Sequence, residues 1–175
     1  MSYIVDIDKS ILIQKVSEQK SIATKILDSF TFAALYFAFT ALIIHFISDL
    51  TTNTLEIKHF ILLIISVVGL SYMTIGFSIM NKLQNFKITN REEIRKLVFE
   101  YLEINKIPII GRSNRMIIAE KHCGLFSWGK RWIIIFDGET DVFINCRTLG
   151  RYNIESPFHS LRDKRRVEEL MENFT

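Results

Sequence analysis

The sequence predicts a two-part protein: a membrane α-helical hairpin of two transmembrane helices, followed by a small cytosolic α+β domain. Three observations predict it. Two stretches, Ser29 to Ser48 and His59 to Met80, contain no Asp, Glu, Lys or Arg. As helices rising about 1.5 Å per residue, each reaches roughly 30 Å, the thickness of a bilayer's hydrocarbon core. The charged residues gather instead in the block after Met80, where helical and strand periodicities alternate.

The expected divisions are a cytosolic amphipathic N-terminal helix in 1–28, a hairpin in 29–80 and a cytosolic domain in 81–175. Within the hairpin the spans are about 29–48 and 59–80, with an external loop at 49–58. In 1–28, Ile11, Ile13, Val16, Ile22, Ile26 and Leu27 interleave with Lys9, Lys15, Glu18, Lys20 and Lys25 from Asp8 to Asp28. Asp8 and Ser10 are the candidate caps. Such a helix lies in the headgroup layer, extends the first span, or packs on the C-terminal domain.

No signal peptide is expected. The first apolar stretch runs too long for a signal core and lacks a small-x-small cleavage site. Lys9, Lys15, Lys20 and Lys25 precede the first span, and Lys82, Lys87, Arg91, Arg95 and Lys96 follow the second. The connecting loop holds one Lys, Lys58, against Asp49 and Glu56. The positive-inside rule therefore expects a multi-pass protein of the cell inner membrane with both termini cytoplasmic. Isoleucine far outnumbers valine and alanine, which reads as low-GC coding and a bacterial source.

Small residues let helix backbones approach closely, so Ala34 and Ala38 in the first span and Gly69 and Gly76 in the second are the expected packing positions. His45 is the only ionisable side chain well inside an apolar stretch, with no acid or base expected opposite it.

In the soluble block, Thr89 or Asn90 caps a helix with Glu92 and Glu93 in its first turn. Ile94, Leu97, Val98, Tyr101 and Leu102 form its buried stripe, and Arg91, Arg95, Lys96 and Glu103 its wet side. Strand character follows in Arg115–His122, Trp132–Phe136 and Asp141–Arg147, with Ile107–Ile110 as an extra short strand. Asp137-Gly138 is a hairpin signal. On the last strand Val142, Ile144 and Cys146 share the face turned toward the helices. Ser160-x-x-Asp163 resembles a capping box for a final helix whose apolar face is Leu161, Val167, Leu170, Met171 and Phe174. The order is α-β-β-β-α, an antiparallel meander with helices on one face.

The chemistry-bearing residues do not assemble a motif. His122, Cys123, Cys146 and His159 are metal-ligand types, but no C-x2-4-C knuckle is present, so no metal or other cofactor is expected. Cys123 and His122 are strand neighbours facing opposite ways, and there is no G-x-S-x-G elbow, P-loop or G-x-G-x-x-G. Asp137, Glu139 and Asp141 cluster on a hairpin tip, where a turn role accounts for Asp137. The acid-then-E-x-K pattern of a metal-dependent nuclease fails, because Glu120 and Lys121 are adjacent.

What remains is a basic and aromatic zone, Phe126, Trp128, Trp132, Arg147, Arg151, Arg162, Arg165 and Arg166, as the candidate interaction surface. Residues 81–175 hold 17 Lys and Arg against 13 Asp and Glu. That is too mild for a dedicated nucleic-acid binder but suits anionic lipid headgroups or an acidic protein partner. The expected function is therefore non-enzymatic: a tether holding a small recognition or assembly domain to the bilayer. Alternatives are a membrane-perturbing effector or oligomeric channel subunit built by homo-oligomerisation, and a membrane-tethered enzyme.

Overall fold

The computed structural model of the chain describes residues 5–18, 22–51, 56–122, 124, 128–150 and 154–172, without the side chains of 22–28, 31 and 51. These described residues form five α-helices and a five-stranded, wholly antiparallel sheet. Two of the helices, α2 (Ile22–Thr51) and α3 (Ile57–Met80), are long and apolar enough to cross a membrane.

α2 and α3 run antiparallel, and aromatic rings fill the space between them. Phe32 meets Phe77 edge-on at 4.1 Å between centroids, and Phe46 meets Phe60 at 5.4 Å. The side chains of α2 turned inward, Phe32, Leu35, Phe39, Ile43 and Phe46, recur at helical spacing. Ala34 and Ala38 are exposed, so they do not form the hairpin seam expected of them. Leu35 and Phe39, one position further along, turn into it instead. Gly69 does lie on the seam, where Phe39 covers it. Ser66 and Thr74 bond back to their own helix, Ser66 to Leu62 O and Thr74 to Leu70 O, each at 2.8 Å, and Tyr36 Oη lies 3.2 Å from Thr74 Oγ1 across the pair.

The single helix expected over residues 8–28 is broken. α1 spans only Ile7–Ile13, capped by the Asp6 carboxylate rather than by Asp8 or Ser10, and Gln14 ends it in the left-handed region at φ 50°. Ser10 is buried, and its Oγ accepts from Ser17 N at 2.8 Å, folding the following residues back. Isolated bridges then join Val5 to Glu18 and Lys15 to Lys82. This folded segment packs on the sheet, the third of the three placements the sequence allows.

The sheet order is β1-β5-β4-β3-β2, with β1 Gln84–Lys87, β2 Ile109–Arg112, β3 Met116–Lys121, β4 Gly129–Asp137 and β5 Asp141–Leu149. β1 is absent from the sequence expectation because Phe86 is its one apolar residue; antiparallel pairing with β5 makes it a strand. α4 (Arg91–Ile104) and α5 (Ser160–Glu172) cover one face. There Ile94, Val98 and Leu102 of α4 and Val167, Leu170 and Met171 of α5 meet Trp132, Ile134, Phe136, Val142, Ile144 and Cys146. The opposite face is not left to water. Val5, Ile7, Ile11, Val16 and Leu83 pack there on Ile118, Ile133, Ile135 and Phe143.

Two local expectations are corrected. Arg95 is buried, not on the wet side of α4, and donates to Ser113 O at 2.8 Å and Asn114 O at 2.6 Å, fixing the β2–β3 turn. Ser160 and Asp163 do not form a capping box. Ser160 Oγ donates to Pro157 O, and Asp163 reaches across to accept from Thr148 N and Oγ1 of β5 at 2.7 and 2.8 Å. A 3-10 turn, Pro157–His159, starts α5 in its place.

Candidate functional site

The expected interaction surface divides. Trp132 is 1% exposed, edge-on to Tyr101 at 5.6 Å inside the main core. Arg147 is 2% exposed and ion-paired on the sheet's second face. Neither contributes to a surface, because β4 and β5 are covered on both sides. Phe126, Arg151, Cys123 and Phe174 lie outside the described residues. Trp128 remains exposed, its ring 4.7 Å from that of His159, and Arg162 and Arg165 are exposed on α5. Arg166 turns inward to Asp163 at 3.0 Å.

In place of one patch the fold builds two features near the end of α3. The first is a buried ionic row. Glu120, Arg131 and Arg147 stand opposite one another on β3, β4 and β5. Arg131 Nε donates to Glu120 Oε2 at 2.7 Å, and Arg147 Nη1 to Glu155 Oε1 at 2.5 Å. Glu18, from the N-terminal segment, accepts from Arg147 Nη1 at 3.3 Å and lies 3.7 Å from Arg131. Burial works to lower the Arg147 pKa, but Glu155 and Glu18 more than offset it and the net shift is upward. Two guanidiniums held among three carboxylates at this depth are a clamp: removing one partner strands a buried charge.

Asn145 links this row to α3. Its side-chain amide donates to Met80 O at 3.0 Å and Lys82 O at 2.8 Å, while its Oδ1 accepts from Arg147 Nε at 2.8 Å. On α3 itself, Gly76 is seated against the 3-10 turn, where an added Cβ would overlap the Pro157 carbonyl. Gly76 therefore packs on the sheet domain rather than on α2. Tyr72 stacks on Phe158 one turn earlier, rings 9° from parallel at 6.4 Å.

The second feature is a cavity of about 150 Å3 where α3, β1, β5 and α5 converge. Ile79, Met80, Leu83 and Cys146 form its apolar walls, and Lys82, Gln84, Asn145, Ser160 and Lys164 its polar ones. Burial, seconded by Asp163, pushes the Cys146 thiol far above its ordinary range, so it is not a thiolate nucleophile at neutral pH. Among the described residues no histidine lines the cavity.

At the opposite end of the hairpin, His45 does meet ionisable partners. Asp49 Oδ2 lies 3.5 Å from His45 Nδ1 and 3.3 Å from His59 Nε2. His59 Nδ1 accepts from Glu56 N at 2.9 Å, which places the neutral ring's proton on Nε2, facing Asp49. Among the described residues no group of three His, Cys, Asp or Glu side chains is arranged to hold a metal ion.

In the sequence Glu18 reads only as a charge of the amphipathic segment and Glu120 only as part of a failed nuclease pattern, while Arg131 and Glu155 carry no motif signal of their own. The available signal was parity: Glu120 and Arg131 stand at the ends of apolar strand runs, in step at a period of two with Ile118 and with Ile133 and Ile135, which implies a charge on a covered face. Comparison with protein-family models, curated proteins and solved structures gives no match for this chain.

Proposed function

We propose that this chain is a non-enzymatic inner-membrane protein of bacterial type, in which a two-helix hairpin holds a cytosolic recognition or assembly domain rigidly against the bilayer. The carrying observation is that both feet of the hairpin are built into one folded body. Ahead of α2, residues 5–18 pack on the sheet and supply Glu18 to the ionic row; after α3, Asn145 holds Met80 and Lys82. A chain entering and leaving the same body must cross a bilayer an even number of times, in agreement with the lysine distribution. The outer sides of the helices also suit lipid. Phe37 is 77% exposed, Ile44 62% and Ile64 61%, a surface that water tolerates poorly.

Alkaline carbonate extraction combined with single-cysteine labelling tests this reading in the full chain. Asn53→Cys in the connecting loop should react with an impermeant maleimide on intact cells, and Glu103→Cys on α4 only after permeabilisation. Release of the chain by carbonate would overturn the membrane assignment. Labelling of Glu103→Cys alone in intact cells would invert the topology.

A further inference from the structure

The depth of the junction cavity follows from helix length. α3 has 24 residues, about 36 Å of helix at 1.5 Å each, against about 30 Å of hydrocarbon. Counted from Ile57, the helix reaches the far hydrocarbon boundary near Gly76, the residue that meets Pro157. Tyr72 and Phe158 stack within one turn of that level, and exposed Trp128 stands against the neighbouring His159, an aromatic set of the kind that marks membrane interfaces. Ile79 to Lys82 then lie about 5–9 Å further out, in the headgroup layer.

The cavity at that depth is two-sided. Ile79, Met80 and Leu83 form its apolar wall, and among the described residues its charged lining is Lys82 and Lys164, with no acid. The neutral donors are already engaged: Gln84 Nε2 bonds Lys164 O, Asn145 Nδ2 bonds Met80 O and Lys82 O, and Ser160 Oγ bonds Pro157 O. The lysines are thus the groups left to meet a ligand. Lys164 Nζ stands 3.6 Å from Glu168, and among the described residues no carboxylate lies within ion-pair distance of Lys82. A volume of about 150 Å3 has room for a phosphate-sized group, since cavities of that size take up benzene.

We propose that the junction cavity binds the phosphate of an anionic phospholipid headgroup, with Lys82 and Lys164 as its cationic contacts and the Ile79–Met80–Leu83 wall against the glycerol and first acyl carbons. The assignment rests on the membrane reading above. A soluble phosphate shares the charge chemistry but leaves the apolar wall and the headgroup depth unused.

The test uses the full chain in neutral detergent, titrated separately with dioctanoyl phosphatidylglycerol, dioctanoyl phosphatidylcholine and inorganic phosphate while thermal stability is followed. Saturable stabilisation is expected from phosphatidylglycerol alone. In Lys82→Gln/Lys164→Gln its apparent affinity should fall about tenfold or more, since each lysine near a headgroup contributes about 1 kcal/mol. Lys96→Gln, a charge removed from the exposed side of α4, should bind as wild type, and each single cavity variant should show a several-fold loss. An undiminished phosphatidylglycerol response in the double variant overturns the site. An equal response to phosphatidylcholine overturns the charge selection, and full reproduction by inorganic phosphate overturns the lipid. A chain that resists carbonate yet ignores phosphatidylglycerol sinks this inference and leaves the membrane reading standing.

Discussion

Gly76→Ala probes the join between the long helices and the sheet domain most directly. Its Cβ would overlap the Pro157 carbonyl oxygen and lie 2.9 Å from Pro157 C and 3.0 Å from Ser160 Oγ. Neither neighbour is a free side-chain end, because Ser160 Oγ is itself bonded to Pro157 O at 2.6 Å. The overlap is relieved only by lifting the 3-10 turn off α3. Overpacking of this kind costs about 1–3 kcal/mol, and a disrupted Ser160 bond adds about 1. The better helix propensity of alanine returns up to about 1 kcal/mol, leaving a net loss of about 1–3 kcal/mol. For a chain of 175 residues each kcal/mol lowers Tm by about 2–4 °C, so the variant should melt several degrees below wild type. Gly69→Ala is the matched control. Its Cβ meets the Phe39 ring at 2.7 Å, the end of a side chain that can rotate, so its loss should be smaller. Hydrogen exchange should quicken at Phe158–Ser160 in Gly76→Ala and stay unchanged in β4 and β5. The packing argument is refuted if Gly76→Ala melts within about 1 °C of wild type with those amides still protected.

Other perturbations address separate parts of the fold. Arg147→Ala leaves Glu18 and Glu155 buried without their shared partner, a loss of about 3–5 kcal/mol, visible as a lower denaturant midpoint; a midpoint unchanged from wild type would dismiss the clamp. Cys146 should resist alkylation at pH 8 in the folded chain and react on unfolding, because burial holds it as a protonated thiol; rapid native labelling contradicts that. Burial, followed by Arg162 and Arg166, lowers the His159 pKa, with Asp163 opposing. The unfolded chain therefore binds this proton more readily, so stability is lost as pH falls below about 6.5 toward the folded value. His159→Gln should flatten that part of the pH–stability curve, and an unchanged slope would remove His159 as its source.

The sequence by itself determined the features that rest on local composition and period. Two apolar stretches free of Asp, Glu, Lys and Arg become long helices with apolar side chains on their outer as well as their facing sides, the α4 stripe turns to the core, and Asp137-Gly138 closes a hairpin with Gly138 at φ 61°. Each depends on residues a few positions apart, so each is visible in one dimension. Only the tertiary structure decided the features made by distant pairing. β1 exists because β5 lies beside Gln84–Lys87, and Arg147 is buried because Glu18 arrives from the far end of the chain. Gly76 serves the Pro157 turn rather than α2 for the same reason. A charge or a glycine shows its type in the sequence, but its energy depends on which surface the fold sets against it.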